Sequence, residues 1–360
     1  MKKHNLRGWG SPSIWSALVV GVLLLLLAGN AESVTAQGPC SPQSNKPCDI
    51  PPGYVIAEGD LQVPEDWLAP HPEGTFQPDV ALWPNGAVPY EFDITATSAN
   101  VTSFPVSMTV TTQAMASWSA VANLNFTRCL NDACAGAHLH FQNSDGNNSP
   151  IGRQATANTI NILNWQQFVI AHEIAHTLGF WHEQCRTNRG SYITIITANI
   201  QPSQTGNFCI NPPLIGFYGP YDFDSVMHYG ACFFTIYDTG PNPCPNAPSP
   251  AAFGGQTIYV YSPNQGWQTR IGQTTHLSDW DQKNMSFLYP QANWRFQDST
   301  YFGGTQVGTF FQPYNNYANA YNQTPNGGTL WILRSGTYGG NATLNKPMTI
   351  QAPQGATLTP

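Results

Sequence analysis

The stretch HEIAHTLGFWHEQ, residues 172–184, places three histidines and two glutamates in a 360-residue chain of which only 9% is charged. His172 and His176 are four residues apart. On a helix that is one turn and about 6 Å of rise, so both imidazoles leave one face and can meet one ion. Glu173 leaves the helix about 100° away, which makes it a poor third ligand. It can still reach a water at that ion and act as its base. Gly179 stands where a positive φ can end the helix, and His182 can then swing back as the third ligand. Three neutral imidazoles leave a fourth position for water, which is the layout of a catalytic zinc site rather than a closed structural one. A bare HExxH also arises on ordinary helix faces, but Gly179 and His182 in register make coincidence a poor account of it.

The flanking pattern supplies a scaffold. Asn164 followed by Gln167 reads as an N-terminal cap, and Phe168, Ala171, Ile174, Ala175 and Leu178 give the helix an apolar face. ALWPNGAVPYEFDI (81–94) and AHLHFQN (137–143) alternate as strands do. FPVSMTVTTQAMASWSAVANL (104–124) carries Val106, Val110, Met115, Trp118 and Val121 at near-helical spacing, with Pro105 at a first helical position. LSDWDQKNMSFLY (277–289) reads as a last helix with Ser278 and Asp281 as a capping pair. Beyond Pro290 the chain breaks into short apolar pieces punctuated by Gly, Asn and Pro, resembling the opening rung of a parallel β-helix. Three states are open for this tail: a truncated repeat, a layer packed on the rest of the chain, or a loosely ordered end.

A net charge of −7 gives no support to nucleic-acid binding, which needs a basic face. Lys2, Lys3 and Arg7 precede an apolar run from Ile14 to Ala28, and Val34-Thr35-Ala36 offers a cleavage site. Residues 1–36 therefore read as a secretory signal, with no membrane attachment after its removal. The eight cysteines suit disulfides in an oxidising compartment, and proximity suggests Cys40–Cys48, Cys129–Cys134, Cys185–Cys209 and Cys232–Cys244. Residues 37–79 are Pro-rich, and read as an extended segment rather than a domain.

HExxHxxGxxH is the metzincin signature, and YDFDSVMHYG (221–230) supplies the methionine turn expected after it, with Met227. GFWHEQCR and SVMHY resemble the astacin family of zinc peptidases. The likeness extends to WPNGAVPY, to the IGR at 151–153 and to HLSDWDQKNMSFLYP, covering roughly residues 80–290. The serralysin-like branch shares the Met-x-Tyr spacing but usually has Pro where this chain has Glu183. The resemblance implies an α/β fold with a twisted, mostly parallel sheet, an antiparallel edge strand able to pair with an extended substrate, an active-site helix and a Met-turn. It implies zinc on His172, His176 and His182, Glu173 as general base, and Tyr229 as a further ligand that swings away to stabilise the transition state. Glu183 is implied as a structural residue that meets the mature N-terminus through a buried contact. One departure is Thr187-Asn188-Arg189-Gly190 in place of the acidic DRD, which puts the hydrogen bonding of that loop in question. Another is Cys185, whose thiol would compete for zinc unless paired.

Zymogens of this kind carry a Phe-x-Gly-Asp segment whose aspartate takes the water's place. Glu58-Gly59-Asp60 match it, with Ala57 replacing the phenylalanine. Asp60 is thus a candidate inhibitory ligand, against the plainer reading of Gly-Asp as a turn. His138 and His140 share a strand face, where two sheet histidines are a simpler reading than a second metal, and NSDGNNS (143–149) reads as a polar turn rather than a calcium loop. The expectation is a secreted zinc endopeptidase made as a zymogen, acting on proteins or peptides. A serralysin-like peptidase and an adhesion or carbohydrate-binding protein acting through residues 291–360 are the alternatives.

Overall fold

A computed structural model describes residues 54–57, 60–64, 80–93, 104–144, 146–208, 218–237, 252–339 and 345–359. The segment read as a signal, the Cys40–Cys48 pair and the partners Cys209 and Cys244 lie outside the described residues. In chain order the strands are β1 (Tyr54–Ala57), β2 (Leu61–Pro64), β3 (Ala87–Phe92), β4 (Asn125–Arg128), β5 (His138–Asn143), β6 (Ser149–Pro150) and β7 (Ala157–Ile162). There follow β8 (Ile193–Ile195), β9 (Ile258–Val260), β10 (Trp294–Gln297), β11 (Thr329–Ile332), β12 (Thr337–Gly339), β13 (Thr349–Gln351) and β14 (Thr357–Thr359). The α-helices are α1 (Phe104–Ser119), α2 (Gln167–Thr177), α3 (Asp279–Leu288) and α4 (Tyr317–Gln323).

The central sheet has the order β4-β3-β5-β7 and all its pairs are parallel. Alternation sends Val88, Tyr90, Phe92, Leu139, Phe141, Ile160 and Ile162 to one face. There they meet Ala114, Met115 and Trp118 of α1 and Ile170, Ala171, Ile174 and Ala175 of α2 in one core. Each such side chain taken out of water contributes about 1.5–3 kcal/mol before the entropy of ordering is subtracted. The Trp118 indole also donates to the Ala171 carbonyl at 2.9 Å, locking α1 onto α2.

Outside β7 the chain turns back. Asn148 and Asn161 exchange both backbone hydrogen bonds as an antiparallel bridge, so the segment leading into β6 forms the antiparallel edge. The Pro-rich segment is not merely extended, as its composition suggested. β1 and β2 form an antiparallel hairpin with Asp60 in its turn, and β2 runs parallel to β6 on the outer side of that edge. Alternation in YVIA and LQVP on either side of a Gly-Asp turn was the available signal.

The start of α2 also differs from the reading of the sequence. The helix begins at Gln167 behind Gln166, with no side-chain cap, because Asn147 Oδ1 accepts the N–H groups of Leu163 and Asn164 and holds that loop outside the helix. The capping box of α3 is present as expected: Ser278 accepts from the Asp281 N–H, and the Asp281 carboxylate accepts from the Ser278 N–H.

The tail is ordered over its described residues and packs against α3 and Tyr218. Phe287 of α3 sits 4.9–5.5 Å, centroid to centroid, from Trp331, Phe296 and Phe310, and Tyr218 Oη donates to the Leu333 carbonyl at 2.6 Å. β11 lies parallel to β13, with Thr329 beside Thr349. β12 likewise lies parallel to β14, with Thr337 beside Thr357. The common offset of 20 residues is that of stacked solenoid rungs.

Candidate metal centre

The three histidines converge on one point. His176 Nε2 lies 3.1 Å and His182 Nε2 3.3 Å from His172 Nε2. The first two rings share a face of α2 because they are one turn apart. The third returns because the chain reverses at Gly179, whose φ is 108°. A Cβ there would also lie 3.1 Å from Leu82 Cδ2, so conformation and packing both ask for glycine.

The last turn of α2 is held by elements far along the chain. Trp83 Nε1 donates to the Thr177 carbonyl at 2.9 Å, Gly152 N to that of His176 at 2.8 Å, and Tyr289 Oη to that of Leu178 at 3.0 Å. These satisfy carbonyls a helix end would otherwise leave open. They also explain why WPNGAVPY, IGR and the closing helix accompany the motif.

The ring nitrogens turned away from the centre are engaged. His172 Nδ1 donates to the Val226 carbonyl at 2.8 Å and His176 Nδ1 to that of Phe180 at 2.7 Å. In the neutral rings this leaves bare Nε2 lone pairs facing one another, an arrangement that a cation relieves. The separations near 3.3 Å are those of tetrahedral ligands about 2.0–2.1 Å from an ion, and three imidazoles suit zinc. Burial first, then the charges of His172 and His182, hold the His176 pKa well below its usual value, so its lone pair stays available.

Asp60 faces the same point. Its carboxylate lies 3.3 Å from His172 Nε2, 3.0 Å from His182 Nε2 and 3.7 Å from His176 Nε2. Burial pushes the Asp60 pKa up, but His182 and His172 outweigh it and keep the carboxyl ionised well below the usual range. The hairpin fixes it there: Ser149 N donates to the Asp60 carbonyl at 2.9 Å and Ile151 N to that of Gln62 at 3.2 Å.

Glu173 is buried beside the cluster, and Ser149 Oγ contacts its Oε2 and its carbonyl oxygen, each at 2.8 Å. Burial above all, then the Asp60 charge, raises its pKa well above the usual value. Ser149 was not singled out from the sequence, since nothing local announces a contact spanning 24 residues. Tyr229 is buried with its ring 4.6 Å from that of His182, and its N–H donates to Gln184 Oε1 at 3.0 Å. Behind it, a Cβ on Gly272 would lie 2.3 Å from Gly230 N, so two main chains touch there.

The Met-turn is braced by α3. Asp281 Oδ2 accepts from Val226 N at 2.8 Å, and Asp281 Oδ1 accepts from Ser225 Oγ at 2.6 Å. Burial raises the Asp281 pKa to about 6. Glu183 Oε1 accepts from Arg186 Nη1 at 2.9 Å and from Asp222 N at 2.7 Å, and burial raises its pKa to about 8 against Arg186. The loop that lacks the acidic DRD is held another way. Arg186 Nε donates to Asn188 Oδ1, and Arg189 donates to the carbonyls of Gln184 and Phe208. Cys129 pairs with Cys134, and Cys185 and Cys232 are each engaged in a disulfide but not with one another, so Cys185 presents no thiol to the centre. His138 and His140 both turn to Glu91 Oε1, at 3.2 and 2.8 Å, in a cluster on the sheet's polar face.

Residues 76–290 match the family model described as Astacin, a peptidase family. Tolloid-like protein 1 of Mus musculus is 31% identical over 227 residues, 61% of this chain and 20% of that protein. Zinc metalloproteinase dpy-31 of Caenorhabditis elegans is 33% identical over 186 residues, 50% of this chain and 28% of that protein. The chain thus spans less than a third of the length of these two relatives. Among solved structures, high choriolytic enzyme 1, a hatching enzyme zinc-protease from Oryzias latipes (medaka fish), aligns at 26% identity and a TM-score of 0.46. The alignment covers 58% of this chain and 92% of that one. With a family model matching more than half of its length, the chain belongs to the astacin family of zinc metalloendopeptidases.

Proposed function

We propose that the chain is a secreted endopeptidase built in a latent form, with His172, His176 and His182 holding zinc and Glu173 serving as general base. The observation that carries this reading is the pairing of three converging Nε2 atoms with a buried carboxyl one residue along the same helix. Zinc held there supplies a Lewis acid and lowers the pKa of a water. Glu173 would take a proton from a water held there and later pass it to the leaving amine. The Ser149 hydroxyl fixes the carboxylate's orientation. Tyr229, beside His182, donates to the oxyanion.

Latency follows from the hairpin. β2 lies along the edge that an extended peptide would pair with, and Asp60 stands over the histidines. On this reading residues 1–36 are a signal, 37–79 a pro-segment, 80–290 the peptidase and 291–360 a β-rich tail. The substrates are proteins or peptides. No Lys or Arg occurs between Lys46 and Arg128, so release of a chain starting near Val80 needs self-cleavage or a protease without trypsin's specificity. Trypsin alone generating that N-terminus would refute this point.

The test is hydrolysis of a denatured protein by the processed chain and by Glu173→Ala, with zinc content measured in both. Loss of about 10²–10⁴ in rate with zinc retained is expected. Equal rates would remove Glu173 as the base, and no cleavage by zinc-loaded wild type would remove the activity.

A further inference from the structure

Alternation along β3 and β5 turns Glu91, His138 and His140 to the face of the central sheet opposite Val88, Tyr90, Leu139 and Phe141, away from α1 and α2. The register sets Glu91 directly beside His140, with His138 two residues back on the same face. Spacing in the sequence pairs the two histidines, and the fold adds the carboxylate from another strand.

Both imidazoles meet one oxygen. His140 Nδ1 lies 2.8 Å and His138 Nε2 3.2 Å from Glu91 Oε1. The chain between β4 and β5 fixes two of these groups from behind. The Cys134 N–H donates to Glu91 Oε2 at 2.6 Å, and His138 Nδ1 lies 2.7 Å from the Gly136 carbonyl. The cluster is sunk yet reachable: the side chains of His138, Glu91 and His140 are 8%, 12% and 24% exposed. Burial pushes the Glu91 pKa up, but the Cys134 N–H and the two histidines outweigh it and keep the carboxyl ionised.

A carbonyl only accepts, so a neutral His138 ring carries its proton on Nδ1 and turns a bare Nε2 lone pair to the Glu91 carboxylate. Two acceptors 3.2 Å apart call for a cation, either a second proton or a metal ion. Protonation answers this for His138 alone, whereas a metal ion answers it with all three groups. A main-chain carbonyl that fixes the far nitrogen is also the device that orients His172 and His176. The Cys134 sulfur lies within 4.8 Å of ligand atoms of Glu91 and His138, but its disulfide to Cys129 leaves no thiolate to add. Calcium and magnesium take oxygen ligands, whereas two imidazoles with one carboxylate suit Zn²⁺ or Cu²⁺. Ligands about 2.0–2.1 Å from such an ion stand about 3.3 Å apart, so the Glu91–His138 spacing already fits and the more exposed His140 has to give by about 0.5 Å. We propose that Glu91, His138 and His140 bind a second divalent transition-metal ion of the zinc–copper class, which clamps β3 to β5 and is separate from the three-histidine centre.

The experiment counts zinc bound by the full chain at equilibrium dialysis, in wild type, Glu91→Gln and His140→Asn. Gln keeps an acceptor for the Cys134 N–H, and His140 is partly exposed, so the two variants make different demands on folding. A His172→Ala/His176→Ala chain isolates the second ion, and Cu²⁺ loaded into it reports its nitrogen donors by electron paramagnetic resonance. Wild type is expected to hold one more ion than either single variant. The isolating chain is expected to keep one ion, with imidazole nitrogens in its copper spectrum, and to lose at least about tenfold in affinity when His140→Asn is added. Three results would overturn the proposal: equal zinc content in wild type and both folded single variants; no ion on the isolating chain up to about 100 μM free zinc, as when a proton alone bridges His138 and Glu91; or a copper spectrum without imidazole nitrogen.

Discussion

The Asp281 carboxylate at the N-terminus of α3 accepts the Val226 N–H at 2.8 Å, and the carbonyl of that same valine orients His172 through Nδ1, also at 2.8 Å. A helix cap thus reaches a proposed zinc ligand through one peptide unit. Partners that orient a ligating histidine typically govern metal affinity by about 10–100-fold. Asp281→Ala is therefore expected to weaken zinc binding by about tenfold and to lower the melting temperature, since the Ser225, Val226 and Ser278 donors lose their acceptor. Competition with a chromogenic chelator measures the first effect. Unchanged zinc affinity in a folded variant would disconnect the cap from the metal.

The same carboxyl gives a pH signature. Its folded pKa of about 6 lies above the ordinary aspartate value of 3.8, so folding favours the protonated form. The stabilising contribution is present below about pH 4 and is lost as pH rises through about 6. Across that window it amounts to about 3 kcal/mol. Urea unfolding of the zinc-free chain should show the advantage of wild type over Asp281→Asn shrinking from about pH 4 to about pH 6. A constant difference would contradict the shift.

Asp60 has a different role to test. Replacing it by alanine removes the carboxylate that faces all three histidines but leaves the β1–β2 hairpin bonds to β6 in place. The unprocessed Asp60→Ala chain is expected to cleave a peptide faster than the unprocessed wild type, though more slowly than the processed enzyme, because β2 still lies along the edge. Latency equal to wild type would sink the idea that this side chain silences the site.

Phe287 measures how firmly the tail is joined to the rest. Its ring is buried against Phe296, Phe310 and Trp331. Phe287→Ala should cost about 3–5 kcal/mol and expose the tail to proteolysis before the peptidase part unfolds. Limited digestion followed by mass spectrometry reads the order of events. Simultaneous loss of both parts would show that they melt as one unit.

The metal centre could be read from the sequence because most of its geometry is local. A spacing of four on a helix and one glycine at its end bring His172, His176 and His182 together, and Ser278 with Asp281 announces its own cap. What escaped reading depends on contacts between distant segments. Ser149 reaches Glu173 only after β6 has folded back beside β7, and Glu91 gathers His138 and His140 only once β3 and β5 are in register. The cap assigned to Asn164 failed for the same reason: Asn147, on another loop, had already taken its N–H. The 20-residue offset in the tail was hidden because each rung contains strands of only three or four residues.

The main-chain contact between Gly272 and Gly230 sets a limit on Tyr229. With its own N–H tied to Gln184 and the next residue pressed against another strand of backbone, this tyrosine has an anchored root. Any excursion of the phenol must then be a swivel about its two side-chain torsions, against the rings of Phe208, Phe233 and Phe234. A gate of this kind is hinged within one side chain rather than carried by a loop.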